Sequence, residues 1–313
     1  MVGYKTFMNN KLKAVLALAV LSPILSELLS GNSPAFVFFN PAFFLLQVFS
    51  YGAPALIIRE LAVRWKLGVI GIFVMALGYG IFNEGLVTGT FFLKDAGVIA
   101  NYGYHLGVNW PWVGFAMIWH DLHAMLYPIL LVNILFSDNA TEPWLSIRVV
   151  KILSVLVFLE SLVLYFTPKD KFPSFYFLLF WGAIVLCILA GKKITNTVSW
   201  NKIVAKKSAF ALGFSTLLFY VGLIAISKTT AHISIYFIVL GVVAWLYWKY
   251  LKKKNWDLMP MFLFFIVGDY TAVAVFASIG RPYPIVFITG IVTVLWLYWL
   301  AKRSTHKALF LSQ

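Results

Sequence analysis

The chain is 313 residues long, 62% of them apolar and only 12% charged, where a soluble domain is roughly 45–50% apolar and about 25% charged. Mean hydropathy is +0.89, and apolar runs recur from one end to the other. The formal net charge of +14 would suggest nucleic acid in a soluble protein, but in a chain this apolar it reads as Lys and Arg retained in the cytoplasmic loops of a polytopic membrane protein. A soluble enzyme, a nucleic-acid-binding module and a disordered chain are excluded. The expected fold class is all-α, a membrane helix bundle with the lipid bilayer as its partner.

A hydrocarbon core of about 30 Å takes about 20 apolar residues per helix. Ten segments meet that demand, at 13–31, 41–59, 67–87, 111–136, 149–167, 173–191, 208–227, 233–250, 258–278 and 283–301. Breakers such as Asn32-Ser33-Pro34, Thr167-Pro168 and Gly280-Arg281-Pro282 lie between them. The runs are too long and too continuously apolar for barrel strands, which alternate over about ten residues. Lys5, Lys11 and Lys13 before the first run resemble the start of a signal peptide. The run continues through Pro23 and Glu27 without a small-residue cleavage site, so it reads as a retained span. Cys187 is the one cysteine, which excludes an intrachain disulfide, and its apolar setting points to packing.

With the N-terminus inside, most of the Lys and Arg residues fall in cytoplasmic segments, and only Lys94, Lys169, Lys171, Lys228 and Arg281 fall outside. That asymmetry predicts a cell-membrane protein with both termini cytoplasmic. Trp65, Trp110, Trp112, Trp144, Trp200, Trp248 and Trp256 cluster near the span ends, as interfacial anchors do. Five spans followed by five would suit an inverted repeat, but the two halves share no matching motif. The sequence reads as a four-helix membrane region over 1–145 that carries the polar site and a six-helix supporting region over 146–313.

Intramembrane carboxylates and imidazoles are expensive and mark function by default. Glu27, Glu84, Asp121, Glu160 and Asp269 fall within spans, with His120 and His123. Glu84 lies about 27 Å along a helix from Lys66, and His120 and His123 about 14 and 18 Å from the outer surface. Glu27, Glu84, His120, Asp121 and His123 are therefore expected at similar depth in the outer half of one bundle. His120 and His123, three apart, share a helix face, and Tyr127 extends it. The functional reading is a carboxylate–imidazole site acting as general base and orienter, as a proton relay, or as part of a metal site. The plain alternative is a set of hydrogen-bonded packing devices between helices. No HExxH spacing occurs, so no metal is assigned, and no cofactor follows from the residues. Glu160 and Asp269 are solitary in their spans and read as structural or accessory.

Glycines 68, 71, 78, 80, 85 and 89 predict that the third span is central and tightly packed, which places Glu84 inside the bundle. Arg59-Glu60-Leu61-Ala62-Val63-Arg64 closes the second span. Glu60 and Arg64 are a favourable i,i+4 pair, expected as an interfacial salt bridge, with a headgroup contact or gate as the alternative. The 87–110 connection, with Phe91, Phe92, Tyr102, Tyr104, His105, Asn109 and Trp110, reads as a lid or binding loop, or as a loop lying flat at the interface. Lys252-Lys253-Lys254 fits topology and anionic lipid attraction.

Asn83-Glu84-Gly85, followed by Trp119-xxx-His123, resembles the motifs of the glutamate-type intramembrane proteases, the CAAX-processing and bacteriocin-processing membrane endopeptidases. The resemblance implies that Glu84 activates water and that His123 assists or stabilises the oxyanion. It covers about 40 residues. Asn83 stands where that family has its first Glu, Thr88 where it has Arg, and His105-xxx-Asn109 has the third motif's spacing but lies in a loop.

The leading expectation is membrane-embedded hydrolysis with Glu84 as base and His120 and His123 as partners, and Glu27, Asp121 and Tyr127 as binding or proton-relay residues. The alternatives are a proton-coupled or small-solute permease and a non-catalytic membrane subunit.

Overall fold

The computed structural model describes residues 2–30, 32–95, 102–167, 173–194, 206–229, 232–253, 258–280 and 290–300, with 99 and 288. It divides into two compact units, one of Met1–Ser26 and Ala35–Thr197, the other of Glu27–Pro34 and Val198–Gln313. The boundary expected at 145/146 falls inside the first unit.

The first unit is built from α1 (Val2–Pro23), the single turn α2 (Ala35–Phe38), α3 (Pro41–Arg64), α4 (Val69–Ile81), α5 (Trp110–His120), α6 (Tyr127–Leu135), α7 (Ile147–Phe166) and α8 (Ser174–Lys193). Local chemistry sets the starts. The Asn40 side chain accepts from Phe43 N–H with Pro41 in the first turn, Asn109 accepts from Trp112 N–H before Pro111, and Ser146 accepts from Val149 N–H. Each satisfies a backbone donor that a helix start leaves free, and proline at the first turn has no donor to lose.

Close backbone approach joins the helices. A Cβ on Gly52 would lie 2.6 Å from the Ala19 carbonyl oxygen, one on Gly191 would lie 2.7 Å from the Gly71 carbonyl oxygen, and one on Gly80 would overlap Met117 backbone atoms. These positions tie α3 to α1, α8 to α4 and α4 to α5, the small-residue packing expected where lipid supplies no hydrophobic drive between helices. The central placement read from the third span's glycines holds. α7 and α8 turn apolar side chains outward, with Val163 59% and Leu178 73% exposed.

Among the described residues six helices are long and apolar enough to cross a membrane: Pro41–Arg64, Val69–Val87, Trp110–Leu135, Ile147–Phe166, Ser174–Lys193 and Ala209–Ser227. Shorter apolar helices cover Ile233–Leu246, Leu263–Val275 and Gly290–Leu300. The described regular structure is helical except for one antiparallel ladder of two-residue strands, β1 (Tyr104–His105) with β2 (Val108–Asn109).

In the second unit α9 (Lys206–Phe214) and α10 (Thr216–Ser227) follow one another, then α11 (Ile233–Lys253) and α12 (Leu258–Gly280). Gly213 faces the Phe265 carbonyl and Gly268 the Phe210 carbonyl, so α9 and α12 meet backbone to backbone. Beside that crossing, Thr216 Oγ1 at the start of α10 donates to the buried Asp269. Lys169, Lys254 and Trp256 lie outside the described residues.

Candidate intramembrane carboxylate–histidine site

The helical rods that carry the polar residues widen where those residues sit. α4 passes into a π turn at Phe82–Val87, α5 into a π turn at Asp121–Leu126, and α1 into one at Ile24–Leu28. Thr88 N–H bonds the Asn83 carbonyl, five residues back, at 2.8 Å. Such turns are rare and are frequent at functional sites. Glu84, Asp121 with His123, and Glu27 each lie within one.

The first two turns meet because Gly80 lets α4 lie against α5 at Met117. Glu84 Oε1 is then 2.6 Å from His120 Nε2, with the two side chains only 10% and 4% exposed. Tyr51 and Tyr79 flank the imidazole, each ring centre 6.2 Å away. Asn83 Nδ2 donates to the Tyr51 hydroxyl at 3.2 Å and lies 3.4 Å from His120 Nε2.

Hydrogen-bond polarity fixes the other carboxyl oxygen. Trp112 Nε1, a donor only, is 2.9 Å from Thr90 Oγ1. Thr90 oxygen therefore accepts from the indole, and its own proton goes to Glu84 Oε2. Thr88 Oγ1 lies 3.3 Å from the same Oε2 and 3.1 Å from the Asn83 carbonyl. Oε2 is an acceptor, so a proton shared by the pair moves along the line from Oε1 to Nε2. The loop that supplies Thr88 and Thr90 turns at Gly89, where φ is +68°, and packs by Phe91 on Phe180 and Phe92 on Tyr176.

His123 is used differently from His120. Its Nδ1 bonds the Trp119 carbonyl at 2.9 Å, its ring lies 4.3 Å from the Trp119 ring centre, and Tyr127 packs on its other side at 5.3 Å. The expected common face of the two imidazoles assumes α-helical spacing. The π turn that begins directly after His120 breaks that spacing, and the contact with Glu84 is made by His120.

Asp121 is fully buried, and Tyr127 likewise. Glu27 accepts from Ser33 Oγ at 2.7 Å within its own 27–34 segment. Glu160 is paired, with Ser50 Oγ donating to it from α3. Asn83, Tyr51, Thr88, Thr90 and Trp112 complete the surroundings of Glu84. Of these, the Glu84–Thr88 spacing of four was visible in the sequence, whereas Trp112 and Tyr51 lie on other helices and leave no local signal.

The motif at the end of α3 is buried within the protein. Arg59 and Glu60 are both 0% exposed. Arg59 donates to Glu60 at 2.7 Å and to the carbonyls of Glu142, Ala140 and Asn139 at 2.8, 2.9 and 3.2 Å. Glu60 also accepts from Arg64 and from Trp144 N–H. The i,i+4 pair read from the sequence is present, within a clamp on the 137–145 connection. Among the described residues no group of three or more His, Cys, Asp and Glu is arranged to hold a metal ion.

A family model described as an uncharacterized membrane protein family matches residues 16–311. The chain belongs to that family. No curated protein and no solved structure matches it. As a member of that family it is a multi-pass membrane protein in a lipid bilayer.

Proposed function

We propose that this membrane protein carries out membrane-embedded hydrolysis, with Glu84 as general base and His120 as its partner. The observation that carries the reading is the 2.6 Å Glu84–His120 pair, buried where two π turns meet. Thr88 and Thr90 hold Oε2, which leaves Oε1 and Nε2 as the atoms between which a proton moves. Glu84 takes a proton from water as that water attacks, and His120 receives it and returns it to the leaving group. His120 fills the role that the protease resemblance gave to His123. The dyad lies near the end of α4 that leads into the 88–109 loop, while the Arg59 clamp lies at the C-terminal end of α3, so the two buried polar groups sit toward different ends of the helices.

The proposal includes ten crossings with both termini in the cytoplasm. In support, described helices occupy part of every one of the ten apolar intervals, and the Lys and Arg distribution alternates across them.

A proton-coupled permease is the second reading, favoured by the occupied carboxyl: hydroxyls on Oε2 and an imidazole on Oε1 suit proton relay without an attacking water. The test reconstitutes the full chain in liposomes with fluorogenic membrane-spanning peptides. Cleavage is expected from the wild type and loss of at least about 100-fold in Glu84→Gln, the scale of a general base. Glu84-dependent proton uptake into the liposomes, without cleavage, overturns hydrolysis in favour of the permease.

A further inference from the structure

The carboxyl next to the dyad has no counterpart in that chemistry. Asp121 begins the π turn Asp121–Leu126 and is 0% exposed. Among the described residues neither of its carboxyl oxygens has a hydrogen-bond partner. It lies about 16 Å along the rod that starts at Trp110, near mid-depth of the Trp110–Leu135 helix. The titratable groups about it are His120 and His123 on its own rod, Glu84 across from His120, and the Cys187 thiol of α8, which lies within electrostatic reach. His120 Nε2 is engaged by Glu84 and His123 Nδ1 by the Trp119 carbonyl, so neither atom serves Asp121.

An ionised carboxylate in such a place forgoes its solvation and regains none of it from a hydrogen-bond donor. A carboxylic acid carries no charge to solvate. The ligand that suits the site is therefore a proton. We infer that Asp121 is a proton-binding site separate from the Glu84–His120 dyad, held as the neutral carboxylic acid within the π turn. It goes beyond the hydrolase reading and needs no substrate to be tested.

Two measurements on the full chain in lipid vesicles near neutral pH test it. The first is the infrared carbonyl band of a protonated carboxylic acid. That band is expected in the wild type, retained in Glu84→Gln and lost in Asp121→Asn, which keeps the side chain's size. The second needs no variant. Dicyclohexylcarbodiimide reacts with protonated carboxyls in apolar surroundings: the acid proton moves to a carbodiimide nitrogen, the carboxyl oxygen bonds the central carbon, and an oxygen-to-nitrogen acyl shift leaves an N-acylurea containing every atom of both reactants. Mass spectrometry is expected to find this adduct on Asp121. A wild-type protein lacking the infrared band, or an adduct confined to other carboxyls, overturns the inference. Failure of Glu84→Gln to lose peptide cleavage would overturn the hydrolase reading and leave this one standing.

Discussion

The Arg59 guanidinium lies 3.4 Å from the centre of the Trp144 ring, and the same guanidinium binds three carbonyls of the connection that carries that tryptophan. Stacking and bidentate donation are what Arg does and Lys does not. The clamp joins the end of α3 to a segment about 80 residues further on.

Removing one member of a buried ion pair strands the other, at about 3–5 kcal/mol. Arg59→Ala is therefore expected to destabilise the detergent-solubilised protein by that amount, and Arg59→Lys to recover only part of it. The double replacement Arg59→Met with Glu60→Leu removes both fully buried charges, leaves the part-buried Arg64 the Glu60 and Leu145 main-chain carbonyls, and is expected to be milder than Arg59→Ala alone. Thermal and denaturant unfolding of the three variants check this. A double variant as unstable as Arg59→Ala would mean that the carbonyl contacts, and not the pair, hold the clamp.

The closeness of α4 to α5 rests on Gly80. A side chain there meets the Met117 backbone, which cannot rotate away. Gly80→Val is expected to cost at least the roughly 1–3 kcal/mol of an overpacked site and to part Glu84 from His120, abolishing function while the rest of the bundle stays folded. Gly182→Ala, where an added Cβ meets nothing within 4 Å, is the control and should be neutral in both respects. Unfolding midpoints and the cleavage assay, measured on the same preparations, check both halves of the expectation.

Much of this was legible in the sequence. The apolar intervals located the helices, and counting residues from the span ends placed Glu84 and His120 at one depth. What local patterns could not reveal is what lies far apart in the chain: Arg59 reaching the 139–142 carbonyls, Trp112 fixing the Thr90 proton, Tyr51 accepting from Asn83. The shared face of His120 and His123 failed for a different reason. The α-helical spacing does not carry through a segment whose hydrogen bonds reach five residues back, and no residue type in Asp121–Leu126 announces a π turn. The Arg59–Glu60 motif was visible, but burial decides its character, and burial depends on a connection folded over it.

Topology is checked by cysteine accessibility. In a Cys187→Ala background, a cysteine at Leu106, which is 72% exposed in the β1–β2 loop, is expected to label from outside intact cells with an impermeant maleimide. One at Thr141, exposed in the connection above the Arg59 clamp, should label only after permeabilisation. Labelling of Thr141 from outside would reverse the orientation, and labelling of both would end the proposed arrangement of the first four spans.

The two imidazoles allow the sharpest separation of chemistry from packing. His120 touches Glu84 through Nε2, whereas His123 donates through Nδ1 to a backbone carbonyl and lies between Trp119 and Tyr127. His120→Gln keeps an amide near Glu84 but cannot carry a proton between base and leaving group. It is expected to lower kcat by about 100-fold or more, the scale of a lost general acid–base partner, with little change in the unfolding midpoint. His123→Gln removes ring contacts of the kind worth about 0.5–1.5 kcal/mol each. It is expected to lower stability by that order and to leave kcat within a few-fold of wild type. Nitrogen-15 histidine spectra supply a readout independent of turnover: Glu84→Gln should move the His120 Nε2 resonance and leave His123 in place. If His123→Gln instead abolishes cleavage at unchanged stability, the imidazole partner of Glu84 has been assigned to the wrong residue.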